Sequence, residues 1–276
     1  MTRWIVAASW VSFAAITYLI LGEAVARWIG LPILGNIGFT LVFVLFALFH
    51  CVALEGVART GIFFGVSAVV SYVMEEVGVR SGLIYGAYHY SDLLGPKLGH
   101  VPVIIPLAWF MMIYPSWMVA KAMLRGIEGS ALPGLTAQAL VAAWVITGWD
   151  MVMDPGMALA GNWVWEHGGA YFGVPRRNYL GWLLTTFLVY WTAGWLWRNP
   201  SQRTVAGKTF AALPVIVYAS FAARYVAANH FPELQVVAAF SMGVPALVAL
   251  IQIFLRGERA AVEVHSSAAK SAADRR

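Results

Sequence analysis

Residues 148–175 run GWDMVMDPGMALAGNWVWEHGGAYFGVP. They close a window, 129–149, that holds no Asp, Glu, Lys or Arg. Two aspartates, Asp150 and Asp154, follow directly, and then a loop of Trp, Gly and Tyr stands where a charged linker is usual. About 20 apolar residues suffice to cross a bilayer as a helix. The stretch therefore predicts a transmembrane helix with two carboxylates at its end, closed by Pro155 because the residue before proline avoids the helical region. Carboxylates at such depth are costly and point to function by default.

Outward from this stretch, the same pattern recurs. Windows free of charge also cover residues 4–22, 28–54, 60–74, 98–120, 178–197, 209–223 and 234–255. The chain is 61% hydrophobic and only 11% charged, where soluble domains carry about 25% charge. Windows 60–74 and 209–223 are short, so their flanking charges must tilt inward or snorkel. These features predict an all-α, polytopic integral membrane bundle of eight transmembrane helices, with seven as the alternative. It forms one domain over 1–255, followed by a disordered tail, 256–276, rich in Ala, Ser and mixed charge. The first window has one Arg ahead of it and no small-x-small cleavage site, so it is expected to remain as the first helix. Cys51, the single cysteine, is expected to pack as a small apolar residue.

The surplus of positive charge sets topology and gives no sign of nucleic-acid binding. With eight helices both termini share a side, which holds Arg3, Arg59, Lys121, Arg125, Arg198, Arg203, Lys208, Arg256 and Arg259. The other side holds Arg27, Arg80, Lys97, Arg176, Arg177 and Arg224. This bias predicts cytoplasmic termini in a cell or inner membrane.

The same assignment gathers the unusual residues at the opposite, non-cytoplasmic end. Asp150 and Asp154, four apart, share a helix face. One ordinary role for Asp154 is to cap or to pair with Arg176 or Arg177. Glu75 and Glu76 are adjacent and cannot share a face, so one faces the interior and the other the rim or an arginine such as Arg80. The window before them spans about 22 Å at ~1.5 Å per residue, which draws at least one glutamate below the headgroups. Desolvation there disfavours the charged form, and a retained proton suits a general acid. The long loops 78–101 and 155–177 add Tyr85, Tyr88, His89, Trp163, Trp165 and Tyr171. The six histidines show no i, i+3 or i+4 pair, and neither a glycine-rich nucleotide loop nor a GxSxG elbow is present. Acid chemistry with no metal and no cofactor is what remains, and aromatic faces beside an acid suit a carbocation.

In order along the chain stand EEVGVRSGLIYGAYHYSDLLGPKLGHVPVIIPLAWFMMIY (75–114), WDMVMDPGM (149–157), WVW (163–165) and YFGVPRRNYLGW (171–182). Over residues 60–197 this resembles the membrane carotenoid biosynthesis proteins that act as carotenoid 1,2-hydratases, of the γ-carotene and bisanhydrobacterioruberin hydratase types. The resemblance implies that water adds across the terminal C1=C2 bond of an acyclic ψ-end in γ-carotene, lycopene or a C50 carotenoid. The product is a tertiary alcohol, and no redox cofactor is needed. It also implies as partners a polyene substrate, the lipid bilayer and other enzymes of the same pathway. On this reading Glu75, Glu76 or Asp150 gives a proton to C2, and Trp163, Trp165 and Tyr171 hold the cation. Asp154 or His89 orients the water, with Asn178 in support. Tyr85, Tyr88, Trp109, Trp149 and Trp182 complete the expected substrate-binding set. Three alternatives stay open: a lycopene cyclase that shares the protonation step, a prenyltransferase using the DxxxD at Asp150 and Asp154, and a transporter with a proton relay.

Overall fold

The computed structural model describes residues 3–29, 34–125, 132–197 and 207–255. The expectations placed on Arg198, Arg203, Arg256, Arg259, the tail 256–276 and the Arg27 side chain lie outside what is described. Among the described residues eight helices make the frame: α1 (Arg3–Ile29), α2 (Asn36–Glu55), α3 (Val57–Ser81), α4 (Ile104–Met123), α5 (Leu132–Leu159), α6 (Arg176–Leu196), α7 (Lys208–Ala227) and α8 (Pro232–Phe254). In α8 an α-helical turn, Pro232–Ala238, passes through a π-helical turn, Ala239–Gly243, into α-helix again over Val244–Phe254.

Seven of the eight are long and apolar enough to cross a membrane, which makes this an integral membrane protein. The exception is α6, long enough but diluted by Trp, Tyr, Thr and Gly and opened by Arg176 and Arg177. It packs along α5 and against α3. α4 is the most deeply enclosed span, touching α2, α3, α5, α7 and α8, as its apolar character on every face requires.

The short window before Glu75 belongs to a helix of 25 residues. Its charges are accommodated by partners. Arg59 pairs with Glu55 at 3.2 Å and donates to the Trp197 carbonyl, Lys121 reaches Glu55 at 3.0 Å, and Arg80 pairs with Glu76 at 2.7 Å.

α5 corrects one expectation. Pro155 does not end it: the helix continues for another turn to Leu159, closing with Ala160 N–H on the Gly156 carbonyl at 3.0 Å. A membrane helix tolerates such a proline because neighbouring groups take over the freed backbone. Asp150 and Asp154 therefore lie inside the helix, in its last turns. The long loops, too, are not plain loops. They contain β1 (Tyr88–Tyr90), β2 (Lys97–Leu98), β3 (Val101–Pro102) and β4 (Trp163–Trp165), with β1 antiparallel to β4 and β2 to β3.

Two glycines fix where this layer meets the bundle. A Cβ on Gly78 would stand 2.6 Å from the Tyr85 ring, and one on Gly181 would stand 2.4 Å from it. α3 and α6 thus leave a slot one aromatic ring thick. Gly181→Ala should cost about 1–3 kcal/mol of stability through overpacking. Gly61→Ala, with nothing within 4 Å of its Cβ, should gain ~0.5–1 kcal/mol from helix propensity. Thermal unfolding of both variants in detergent checks the contrast.

Candidate functional site

The register of β1 and β4 decides which loop residues reach the bundle. Tyr88 pairs with Trp165, His89 with Val164 and Tyr90 with Trp163. Because side chains alternate along a strand, Tyr88 and Tyr90 turn inward and are buried, while His89 turns outward. His89 is exposed and its Nδ1 meets Glu166, so it stands away from the acids, contrary to the sequence expectation.

Glu75 is the interior glutamate. Trp109 Nε1 donates to its Oε1 at 2.9 Å, and Tyr90 Oη, at 2.8 Å, and Tyr88 Oη both donate to Oε2. Burial, and after it the charge of Glu75, push the hydroxyls of Tyr88 and Tyr90 well above their usual range, so both stay neutral donors. Glu76 lies at the rim, accepting from Arg80 at 2.7 Å and from the backbone and ring of His100 at 2.9 Å each. The helical step between neighbours sends it outward to Arg80, the rim position that the sequence left open for one of the two glutamates.

Across from Glu75, one amide serves both aspartates. Asn178 Nδ2 donates to Asp150 Oδ2 at 2.8 Å and to Asp154 Oδ2 at 2.6 Å, and Trp163 Nε1 donates to Asp154 Oδ1 at 2.7 Å. Asp150, Asp154 and Asn178 are all buried. Arg176 and Arg177, the alternative partners, are exposed at the start of α6.

Between these groups lies a cavity of about 1050 Å³, at the upper end of the range for small-molecule sites. Glu75, Asp154 and Asn178 line its buried end, together with Tyr85, Tyr88, Trp163, Trp165 and the Trp109–Trp182 pair, whose rings stack at 3.9 Å. Trp149 forms part of the wall and packs on Phe221 at 4.5 Å. Tyr85 spends its hydroxyl on Thr185 at 2.7 Å and offers the cavity its ring. Tyr171, expected to hold a cation there, does not line it. A tight turn through Phe172 and Gly173 folds Tyr171 against Tyr179 instead.

Sequence reasoning missed the other half of the wall. Phe39 and Thr40 of α2 and Phe221, Arg224 and Tyr225 of α7 line it, and Asn36, Asn229 and His230 stand toward its open end. The polar residues Asn36, Asn229 and His230, at helix ends on the same side as the acids, were the available signal. Tyr90, a donor to Glu75, was visible in the loop but not singled out. Among the described residues no three His, Cys, Asp or Glu side chains gather into a group fit to hold a metal ion.

Residues 11–253 match the family described as carotenoid biosynthesis protein. The chain belongs to that family. Its similarity extends to the bisanhydrobacterioruberin hydratase of Haloarcula japonica, 34% identical over 128 residues, which is 46% of this chain and 42% of that protein. The match thus spans about two fifths of the relative's length. No solved structure matches.

The shared amide is open to test. Asn178→Leu removes the donor from two buried carboxyls and should cost about 3 kcal/mol, at the upper end for unsatisfied buried groups. Thermal unfolding in detergent would show it, and Asn178→Gln should lose less.

Proposed function

We propose that the protein hydrates the terminal C1=C2 bond of an acyclic carotenoid ψ-end, forming a tertiary alcohol without a redox cofactor. The observation that carries this reading is the pairing of buried carboxyls with aromatic walls at the closed end of one cavity in an apolar bundle. A largely aromatic and aliphatic cavity inside a membrane bundle suits a polyene, which is itself dissolved in the bilayer. The family and the hydratase relative support the same class of reaction.

The geometry suggests how roles divide. Two buried carboxyls on one amide nitrogen repel as anions, and sharing one proton relieves that cost. Asp154, the member of the pair that lines the cavity, is placed to pass the proton to C2. The tertiary cation left at C1 would lie near Glu75, which three donors hold in one orientation, and beside the faces of Trp109 and Trp182. Aromatic faces attract cations by about 0.5–2 kcal/mol each. Water then bonds to C1, and its surplus proton returns to Asp154. The donors spent on Asp150 and Asp154, from Asn178 and Trp163, favour this reading over a diphosphate-binding DxxxD.

The first test is expression in bacteria that accumulate lycopene or γ-carotene, with pigments separated and weighed. A product heavier by one water with an unchanged chromophore is expected. Unchanged mass with an altered spectrum would mean a cyclase, and no conversion of either pigment would reject both. Within the site, Asp154→Asn and Glu75→Gln should each lower the hydration rate by about 10²–10⁴-fold, the usual worth of general acid–base help. Glu76→Gln and His89→Ala should stay close to the parent rate. Pigment turnover in membranes measures all four.

A further inference from the structure

The mechanism above leaves a buried polar cluster unused. Asp150 Oδ1, Tyr171 Oη and Tyr179 Oη are all shielded from solvent, and none has a hydrogen-bond partner in the protein. Buried polar groups are almost always satisfied by protein or by ordered water, and each one left unpaired costs about 1–3 kcal/mol. Three orphans together are therefore a demand for a shared partner.

They are neighbours. The Tyr171 and Tyr179 rings meet edge to face with centroids 5.2 Å apart. Burial, and then the charge of Asp150, push the Tyr171 hydroxyl up to about 12. Tyr179 directly follows Asn178 in α6, whose amide fixes the other oxygen of Asp150. Tyr171 is brought in by a turn that costs strain. Its N–H and C=O both bond Val174, at 3.2 and 2.9 Å, and between them Phe172 has φ 49° and Gly173 φ 86°. A left-handed conformation at a bulky residue costs about 1–2 kcal/mol, and such strain persists where the surroundings enforce it. A Cβ on Gly169 would lie 2.0 Å from the Val174 carbonyl carbon, so the chain can close over this turn only with glycine there.

We propose that Asp150, Tyr171 and Tyr179 enclose a water site behind Asn178, which supplies and orients the water that captures the carbocation. The proposal rests on the hydration reading and adds the source of the nucleophile. Two phenols and a carboxyl offer a water both donors and acceptors, and two to four partners are what a buried water takes. The site lies off the cavity, whose wall here is Asp154 and Asn178, so a water stored on Asp150, Tyr171 and Tyr179 reaches C1 by stepping past Asp154 into the cavity. The balance is simple. The π electrons of C1=C2 take the Asp154 proton to form the C2–H bond, a water lone pair forms C1–O, and the second proton returns to the Asp154 carboxylate. Nothing is oxidised or reduced. Tyr171 and Tyr179 act here as positioning residues, since they touch the water and not the polyene.

The test uses full-length protein in membrane vesicles loaded with lycopene in heavy water. Protonation and water capture are then read separately. Deuterium in unhydrated polyene, recovered or isomerised, reports a cation that lost a proton again, and the hydroxylated product reports capture. Tyr179→Phe and Tyr171→Phe keep the ring packing and remove only the hydroxyls. Each should raise the ratio of deuterated, unhydrated polyene to alcohol by about tenfold, the effect of one ordinary hydrogen bond. Val164→Ala, on the outer face of the same roof and off the cavity wall, should leave that ratio unchanged. An unaltered ratio in both tyrosine variants overturns the water site, and so does equal loss of deuterium uptake and alcohol, since protonation does not need these phenols. If the parent protein makes no alcohol at all, it is the hydration reading that fails.

Discussion

One amide nitrogen, Nδ2 of Asn178, binds Asp150 and Asp154 at once, and from it a continuous series of hydrogen bonds can be followed through the site. Asn178 ties α6 to α5, and Asp154 receives Trp163 and so ties α5 to β4. β4 pairs with β1, whose tyrosines donate to Glu75 on α3, and Glu75 is held in turn by Trp109 of α4. Four helices and two strands are joined by polar contacts within a protein that otherwise coheres by apolar packing. In hydrocarbon, helices gain no hydrophobic advantage by touching one another, and association depends on close fit and internal hydrogen bonds. The site is accordingly part of what holds this end of the bundle together.

The helices were legible in the sequence because transmembrane spans are long, apolar and bounded by charge. The split between Glu75 and Glu76 was legible for an equally plain reason: neighbours on a helix point different ways. The roof was not. β1 and β4 are three residues each and lie more than seventy positions apart, so neither shows a periodic pattern, and their register, which excludes His89, arises only when they pair. Pro155 misled because the steric bias on the residue before proline is a preference and not a stop, and in a membrane bundle neighbouring groups satisfy the backbone that proline frees. The contribution of α2 and α7 escaped for the opposite reason. Their inward residues, such as Phe39 and Phe221, are ordinary core types that show a site only once a cavity lies beside them.

The contact between α8 and α5 shows how exactness of position is obtained without further polar groups in the site itself. The π-helical turn brings Ser241 against Gly148, with Ser241 Oγ donating to the Gly148 carbonyl at 3.0 Å, and a Cβ on Gly148 would stand 2.9 Å from the Ser241 carbonyl oxygen. Backbone meets backbone two residues before Asp150. π-turns interrupt helices at a cost and are found mostly where function requires a local adjustment. Here the interruption seats α8 against the stretch of α5 that presents Trp149 and Asp150.

Along the cavity wall the acids are buried, while Asn36 and His230 are exposed; a pocket entered from the exposed side would be a dead end at the acids. A dead-end pocket admits one tip of a long chain at a time. A polyene with two identical ends would have to withdraw, reverse and enter again before its second end could react, and the half-finished molecule would return to the bilayer between the two events. Under the proposed reaction the enzyme would be distributive: the bilayer pool of intermediates, and the competition for it, would decide how far the reaction proceeds.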